Sequence, residues 1–104
     1  MAQFTLDETQ DGARVNLQVG DVVVLRLAEN PTTGYRWDVV AAQGLELEAD
    51  DFVSAAGAGS GGGGQRALRF KANAVGTSQL ETVLRRSWSQ EPAQKRFTIT
   101  LAIR

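Results

Sequence analysis

Few side chains in this sequence could carry out catalysis, and the usual combinations are missing. The chain has 104 residues, with no histidine and no cysteine. A Ser-His-Asp triad, a thiol nucleophile, a disulfide and a cysteine metal site are therefore impossible. Two candidates are left, a Ser-Lys dyad of Ser87 or Ser89 with Lys95, and the adjacent carboxylates Asp50 and Asp51.

Both catalytic candidates are weak on chemical grounds. Serines in loops and adjacent acids are usually solvated surface, and the stretch around Asp50-Asp51 lacks the alternating oxygen ligands of a regular calcium loop. We therefore predict no enzyme activity, no cofactor and no metal. The chemistry that the sequence favours is binding.

The stretch Asn30-Pro31-Thr32-Thr33-Gly34-Tyr35 separates two strand-like runs and has the features of a binding loop. Pro31 fixes its own φ and pushes the preceding residue into extended geometry. Gly34 can take the positive φ that a turn requires. Turn chemistry does not explain Thr32 and Thr33, two adjacent β-branched residues with hydroxyl groups. We predict a rigid, uncharged loop suited to insertion into a groove.

A glycine-rich stretch, residues 53–65, ends in Gly61-Gly62-Gly63-Gly64. The pattern Gly57-x-Gly59-x-x-Gly62 formally matches a dinucleotide motif, but that motif needs a following helix and residues 66–72 alternate as a strand. This stretch is not an interdomain linker, because the chain on either side of it is too short to form two independent sandwiches. A glycine-rich loop lets backbone N–H and C=O groups approach a partner closely.

Arg86, Ser87 and Trp88 lie in a third irregular stretch, residues 85–94. Exposed Trp and Arg are common interface hot spots, which favours binding. A Trp88 folded back onto the sandwich edge with a stacked arginine is an open alternative. Trp37 lies inside a strand-like run instead, and we predict that it belongs to the core.

Strands must position these three stretches, because alternating apolar and polar residues recur along the chain. A strand is predicted over residues 78–85, and others are predicted around the following apolar residues: Val15, Leu17, Val19, Val23, Leu25, Leu27, Trp37, Val39, Leu45, Leu47, Leu68, Phe70, Ala72, Phe97, Ile99, Leu101 and Ile103. The pattern predicts an all-β fold, an immunoglobulin-like antiparallel β-sandwich of seven or eight strands without a disulfide. Residues 1–104 are predicted to form a single domain.

Charge gives little indication of a partner. The formal net charge is −1, with a balance of −7 over residues 1–65 and +6 over residues 66–104. We expect cross-strand pairing to cancel much of this asymmetry, and we expect no nucleic-acid or membrane partner. Nucleic-acid binding by the basic C-terminal strands is a weaker alternative that salt-dependent retention would test.

The compartment is not specified by the sequence. No transmembrane run and no signal peptide are visible. As written the chain is expected to be cytoplasmic, and it would be periplasmic or secreted if a leader had been removed. We expect a monomer.

The three irregular stretches together resemble the chagasin-like inhibitors of papain-family cysteine peptidases. Asn30-Pro31-Thr32-Thr33-Gly34-Tyr35 matches the first family motif without a mismatch, and Gly61-Gly62-Gly63-Gly64 fits the second, Gly-x-Gly-Gly. Arg86-Ser87-Trp88 fits the third, Arg-Pro-Trp, with Ser87 in place of proline. The order and spacing agree, and the resemblance covers essentially the whole chain.

The resemblance implies a reversible proteinaceous inhibitor whose three loops form a wedge that occludes the active-site cleft of a papain-like peptidase. Thr32 and Thr33 would cover the catalytic cysteine, and the other two motifs would hold the cleft walls. The peptidase-binding residues are then Asn30, Pro31, Thr32, Thr33, Gly34, Tyr35, Gly61, Gly62, Gly63, Gly64, Arg86, Ser87 and Trp88. An immunoglobulin-like interaction or adhesion module using the same loops is the alternative.

Overall fold

The computed structural model describes residues 2–30, 33–54, 63–86 and 92–104. Eight strands and one short 3₁₀ helix account for most of this part of the chain. The elements are β1 Gln3–Asp7, the 3₁₀ helix Glu8–Gln10, β2 Arg14–Leu17, β3 Val22–Glu29, β4 Tyr35–Ala42, β5 Leu45–Ser54, β6 Gly64–Ala72, β7 Gly76–Arg86 and β8 Lys95–Ile103. No helix in the described ranges could span a membrane.

The strands form two four-stranded sheets, which confirms the predicted all-β sandwich. The first sheet has the order β1-β3-β6-β5 and the second has the order β2-β8-β7-β4. The pairs β3–β6, β5–β6, β4–β7 and β7–β8 are antiparallel. The two N-terminal strands differ from the purely antiparallel expectation, because β1 pairs in parallel with β3 and β2 pairs in parallel with β8.

The N-terminal segment reaches both sheets through the 3₁₀ helix. Asp7 caps this helix, and its side chain accepts from the Thr9 amide while the Gln10 side chain accepts from the Asp7 amide. The chain then crosses to the second sheet, where the Asp11 side chain accepts from the Thr98 amide at 2.8 Å. Parallel pairing of short strands needs such a crossover rather than a hairpin, which is why local turn signals did not reveal it.

The core lies between the inward faces of the two sheets. Most of the residues that alternate in the sequence point inward, and Trp37 is only 3% exposed, which confirms its predicted core position. The fully enclosed side chains come from both sheets: Val23, Leu25, Leu27, Leu68, Phe70, Leu80, Phe97, Ile99 and Leu101. Burial of these alternating side chains is what selects the register of each strand.

Two residues of the predicted apolar pattern are exposed instead. Val19 is 50% exposed because β2 ends at Leu17, and the next residues form a turn in which the Asp21 amide donates to the Gln18 carbonyl. Leu47 is 44% exposed, and it lies where the pairing of the edge strand β5 with β6 shifts register. A bulge changes which face the following residues occupy, so strict alternation fails there.

The uneven charge distribution along the sequence is largely balanced in the fold, as expected. Ion pairs that join the acidic N-terminal part to the basic C-terminal part are Arg66–Glu29, Arg66–Asp50, Arg69–Glu48 and Arg85–Asp38. These pairs connect strands within each sheet. The charge balance of the two halves therefore reflects strand pairing more than a basic face.

Candidate functional site

One end of the sandwich, here called the loop end, carries all three irregular stretches. β3, β5 and β7 end there, and β4, β6 and β8 begin there. The register shows this directly, because Gly64 pairs with both Glu29 and Ser54, and Tyr35 pairs with Arg86. The first connection is residues 30–34, the second is 55–63 and the third is 87–94.

A shallow depression of about 280 Å³ lies between the strand ends at the loop end. Its lining combines residues from five strands, β3, β4, β6, β7 and β8, with residues next to them: Ala28, Glu29, Asn30, Thr33, Tyr35, Gly63, Gly64, Leu84, Gln94 and Lys95. Described residues of the first two motifs therefore lie in one region of the surface, and Arg86 of the third motif adjoins it through Tyr35. Pro31, Thr32, Gly61, Gly62, Ser87 and Trp88 lie outside the described residues.

Thr33 holds the described part of the first connection in a turn. Its hydroxyl donates to the Asn30 carbonyl at 2.8 Å and accepts from the Tyr35 amide at 3.3 Å. The Thr33 amide also donates to the Asn30 carbonyl, at 3.1 Å. Gly34 has φ of 81°, which a side chain would strain. These bonds tie Thr33 to Asn30 and Tyr35, while the rigidity of the whole loop stays a prediction.

Side chains also fix the point where β3 leaves the sheet. β3 continues beyond the end of its partner β1, so Ala28 has no strand on that side. The Glu8 carboxylate accepts from the Ala28 amide instead, and the Ala28 carbonyl accepts from the Trp37 indole N–H at 2.8 Å. Trp37 thus links the two sheets immediately below the first connection.

A buried ion pair lies at the same level. Glu29 is 4% exposed and Arg66 is 9% exposed. The Arg66 Nη2 atom is 2.6 Å from Glu29 Oε2, and Arg66 Nε is 3.1 Å from the same oxygen. The hydrogen bonds to Glu29 raise the pKa of Arg66 above its ordinary value, and burial opposes this in part. Arg66 therefore stays cationic at any physiological pH.

The two described glycines of the second motif differ in their surroundings. A Cβ on Gly64 would lie 2.2 Å from the Val53 carbonyl oxygen and 2.8 Å from a ring carbon of Phe52. A Cβ on Gly63 would make only ordinary contacts, the nearest at 3.6 Å from the Glu29 carbonyl oxygen. Gly64 is therefore required by the packing of β5 on β6, whereas Gly63 has room for a side chain.

The third motif is tied to the first through Arg86. Its guanidinium lies over the Tyr35 ring, 4.7 Å from the ring centroid, and the two residues are cross-strand partners. A cation over an aromatic face at this distance is attractive. Within the described residues the Nε atom of Arg86 is buried without a hydrogen-bond partner. The roles predicted for Ser87 and Trp88 are not tested by the described residues.

The carboxylate pair Asp50 and Asp51 is not supported as a catalytic or metal site by the geometry of the described residues. Asp50 and Asp51 are successive residues of β5, so their side chains point to opposite faces. Asp50 is already paired with Arg66 at 3.0 Å and with Arg36 at 3.3 Å. Among the described residues, no group of acidic side chains is arranged to hold a metal ion. Ser87 and Ser89 lie outside the described residues.

A larger groove of about 450 Å³ lies on the flank of the sandwich between the edge strands β4 and β5, and it begins next to the loop end. Its charged residues neutralise each other in pairs, Arg36 with Asp50 and Arg85 with Asp38. The groove therefore presents little uncompensated charge to a ligand.

Sequence reasoning missed Glu29 and Arg66 as residues of the loop end. A signal was present, because Glu29 continues the alternation of Val23, Leu25 and Leu27, and Arg66 precedes Leu68 in the same phase. A charged residue at an inward position requires a buried partner. Only the register of β3 with β6 shows which residue that partner is.

The fold and the loop end define a class, a β-sandwich in which the strand ends that flank three connections meet at one end. Residues 16–103 match the family model described as Chagasin family peptidase inhibitor I42. The chain belongs to this family. The predicted class, a chagasin-type cysteine peptidase inhibitor and not an enzyme, is thereby confirmed.

The chain is also similar to individual proteins, and the two solved structures among them show the same fold. Amoebiasin-1 of Entamoeba histolytica is 25% identical over 101 residues, which cover 96% of this chain and 99% of that protein. The crystal structure of the cysteine protease inhibitor EhICP2 from Entamoeba histolytica has a TM-score of 0.90 at 24% identity, covering 99% of this chain and 96% of the other. PbICP-C, solved in complex with falcipain-2, has a TM-score of 0.67 at 14% identity, covering 97% of this chain and 99% of the other.

Proposed function

We propose that residues 1–104 form a single inhibitor domain that binds papain-like cysteine peptidases reversibly through its loop end. The observation that carries the proposal is the convergence of the strand ends that flank all three motifs. Asn30, Thr33, Tyr35, Gly63 and Gly64 line one depression there. A papain-like target is further supported by PbICP-C, which was solved in complex with falcipain-2.

The binding residues divide into three groups according to motif. The first group is Asn30, Pro31, Thr32, Thr33, Gly34 and Tyr35, which enters the cleft and covers the catalytic cysteine. The second is Gly61, Gly62, Gly63 and Gly64, and the third is Arg86, Ser87 and Trp88, which contact opposite cleft walls. An interface of about 1,600 Å² is the ordinary size for a complex between a peptidase and its inhibitor.

Inhibition then works by occupancy. The loop end need offer no peptide bond in the position of a substrate, so the inhibitor is not cleaved and the catalytic thiolate stays unmodified. The hydrogen bonds of Thr33 to Asn30 and Tyr35 support this mechanism, because a turn that is ordered before binding loses little entropy on binding.

The test is a titration of a papain-like peptidase with the purified protein, following hydrolysis of a fluorogenic substrate. We expect tight, reversible inhibition that a Thr33→Ala, Trp88→Ala double variant loses while it remains folded. Absence of inhibition at micromolar protein, against several peptidases of the family, would contradict the proposal. An immunoglobulin-like interaction module that uses the same loops would then be the better description.

A further inference from the structure

We propose that Glu29 and Arg66 are positioning residues that hold the first and second connections in one binding arrangement. This inference rests on the function proposed above, and it assigns a role to two residues outside the three motifs. Glu29 is the last residue of β3 and directly precedes Asn30, and Arg66 lies two residues after Gly64.

The pair belongs to a closed set of contacts that joins four strands. Glu29 Oε1 accepts from the Trp37 amide of β4 at 2.8 Å, while both Glu29 oxygens accept from Arg66 of β6. Arg66 Nη1 donates to Asp50 of β5 at 3.0 Å. Asp50 accepts in turn from Arg36, which is again on β4, at 3.3 Å. The contacts therefore begin and end on the same strand.

This set of contacts spans the two sheets at the loop end. Glu29, Arg66 and Asp50 are in the first sheet, whereas Trp37 and Arg36 are in the second. Deeper in the sandwich the paired inward positions of β3 and β6 are apolar, because Leu25 pairs with Leu68 and Val23 pairs with Phe70. The core thus changes from apolar packing to directional hydrogen bonds in its last layer before the connections.

Stability alone is a poor explanation for such a pair. A buried ion pair loses the hydration of both charges, and well-packed apolar residues of similar size are often equally stabilising. Apolar packing, however, tolerates sliding, whereas a guanidinium that donates to two carboxylates permits one geometry. The pair is therefore suited to fixing how Asn30 and Gly64 lie relative to each other.

Positioning predicts a specific kinetic signature. If the pair orders the free inhibitor, its loss lowers the fraction of molecules in the binding-competent arrangement. The apparent association rate falls by that fraction, and the dissociation rate of the complex, in which the peptidase holds the loops, changes little. Loss of a direct contact with the peptidase would chiefly raise the dissociation rate instead.

The test uses Glu29→Gln, Arg66→Lys and the double variant, with Arg69→Lys as the matched control. Arg69 is on the same strand but half-exposed, and it pairs with Glu48 at 3.4 Å. Both changes at the buried pair are conservative in size, and circular dichroism and thermal denaturation establish that each variant is folded. Association and dissociation rates with a papain-like peptidase are measured for each protein.

We expect the association rate to fall about tenfold in each single variant, which corresponds to about one tenth of the free molecules being in the binding-competent arrangement. The dissociation rate should stay unchanged. The double variant should lose little more than either single variant, because the two residues act as a unit. The control should keep wild-type rates. Wild-type association rates in the folded variants, or a change confined to dissociation, would overturn the inference while leaving the proposed function intact.

A second measurement separates the two proposals. Amide hydrogen exchange in the free protein should quicken at Thr33 and Trp37 in Arg66→Lys but not in Arg69→Lys, since both amides donate at the base of the first connection. Unchanged exchange would overturn the inference. A wild-type protein that inhibits no papain-like peptidase would overturn the proposed function, whatever the exchange result.

Discussion

Replacement of Gly64 by alanine should destabilise the fold far more than the same change one residue earlier. Gly64 pairs with β3 on one side and β5 on the other. An added Cβ would lie 2.2 Å from the Val53 carbonyl oxygen, a backbone atom that cannot rotate away. The two strands must therefore separate locally.

The size of this effect follows from the geometry. Overpacking typically costs about 1–3 kcal/mol, and contact with a backbone atom places Gly64→Ala at the upper part of that range. For a domain of this size we expect the melting temperature to fall by roughly 10–20 °C. Gly63→Ala has contacts no closer than 3.6 Å, so its melting temperature should stay within about 3 °C of wild type.

The assay is thermal denaturation followed by circular dichroism, with the two variants and the wild type in the same buffer. A Gly64→Ala protein that melts together with wild type would refute the packing argument, since the carbonyl would then have moved at no cost. Inhibition measured below the melting temperature adds a second result. A stable Gly63→Ala protein that binds peptidase more weakly would place the backbone at Gly63 in the interface.

Three further predictions follow from contacts at and near the loop end. Trp37→Phe removes the indole N–H that donates to the Ala28 carbonyl, so the free energy of unfolding should fall by about 0.5–1.5 kcal/mol in urea titrations, with the control Trp88→Phe near wild type. Trp88→Ala should weaken peptidase binding by about 2 kcal/mol or more with no change in melting temperature, and an unchanged inhibition constant would remove Trp88 from the proposed interface. The Ala2 and Gln18 amides donate to the Asp21 carboxylate and hold the pKa of Asp21 below its ordinary value of 3.8. The ionised carboxylate therefore contributes its full stabilisation above pH 3.8, and this stabilisation is lost as the pH falls through the lowered pKa. Urea titrations at neutral and acidic pH should therefore show a smaller acid-induced loss of stability in Asp21→Asn than in wild type, and equal losses would argue against this role.

The strands could be predicted because their apolar residues alternate and their turns contain glycine. Val23, Leu25 and Leu27 are all enclosed, and so are Leu68 and Phe70. The prediction failed at Val19 and Leu47, where a turn and a register shift interrupt the alternation. Both failures have the same physical cause. Alternation of apolar residues describes a regular strand, and it fails where a strand ends or where its pairing shifts register.

The partners of the N-terminal strands could not be predicted from local patterns. β1 and β2 lie in different sheets although only six residues separate them. A hairpin is the default for strands so close in sequence, and the 3₁₀ helix with its Asp7 cap prevents it. Parallel pairing depends on which distant edge is available, and this is a property of the assembled sheets.

The three motifs of the candidate site could be predicted from the sequence, but the residues proposed to position them could not. Adjacent threonines and a glycine run are visible in any short window of the sequence, so the three stretches could be found directly. Glu29 and Arg66 are 37 residues apart, and each alone resembles an ordinary surface charge. Their pairing depends on the register of β3 with β6, which no short window contains.

Every residue of the described hydrophobic core lies within a strand, and none comes from the described parts of the three connections. The strands therefore supply the core, and under the proposed function the connections and the strand ends beside them supply the contacts with the target. Doubling the length of a loop costs only about 0.6 kcal/mol in closure entropy, so a longer connection is compatible with the same sandwich. Under the proposed function, a new target could be accommodated by changes at this one end, while the strands that form the core stay packed.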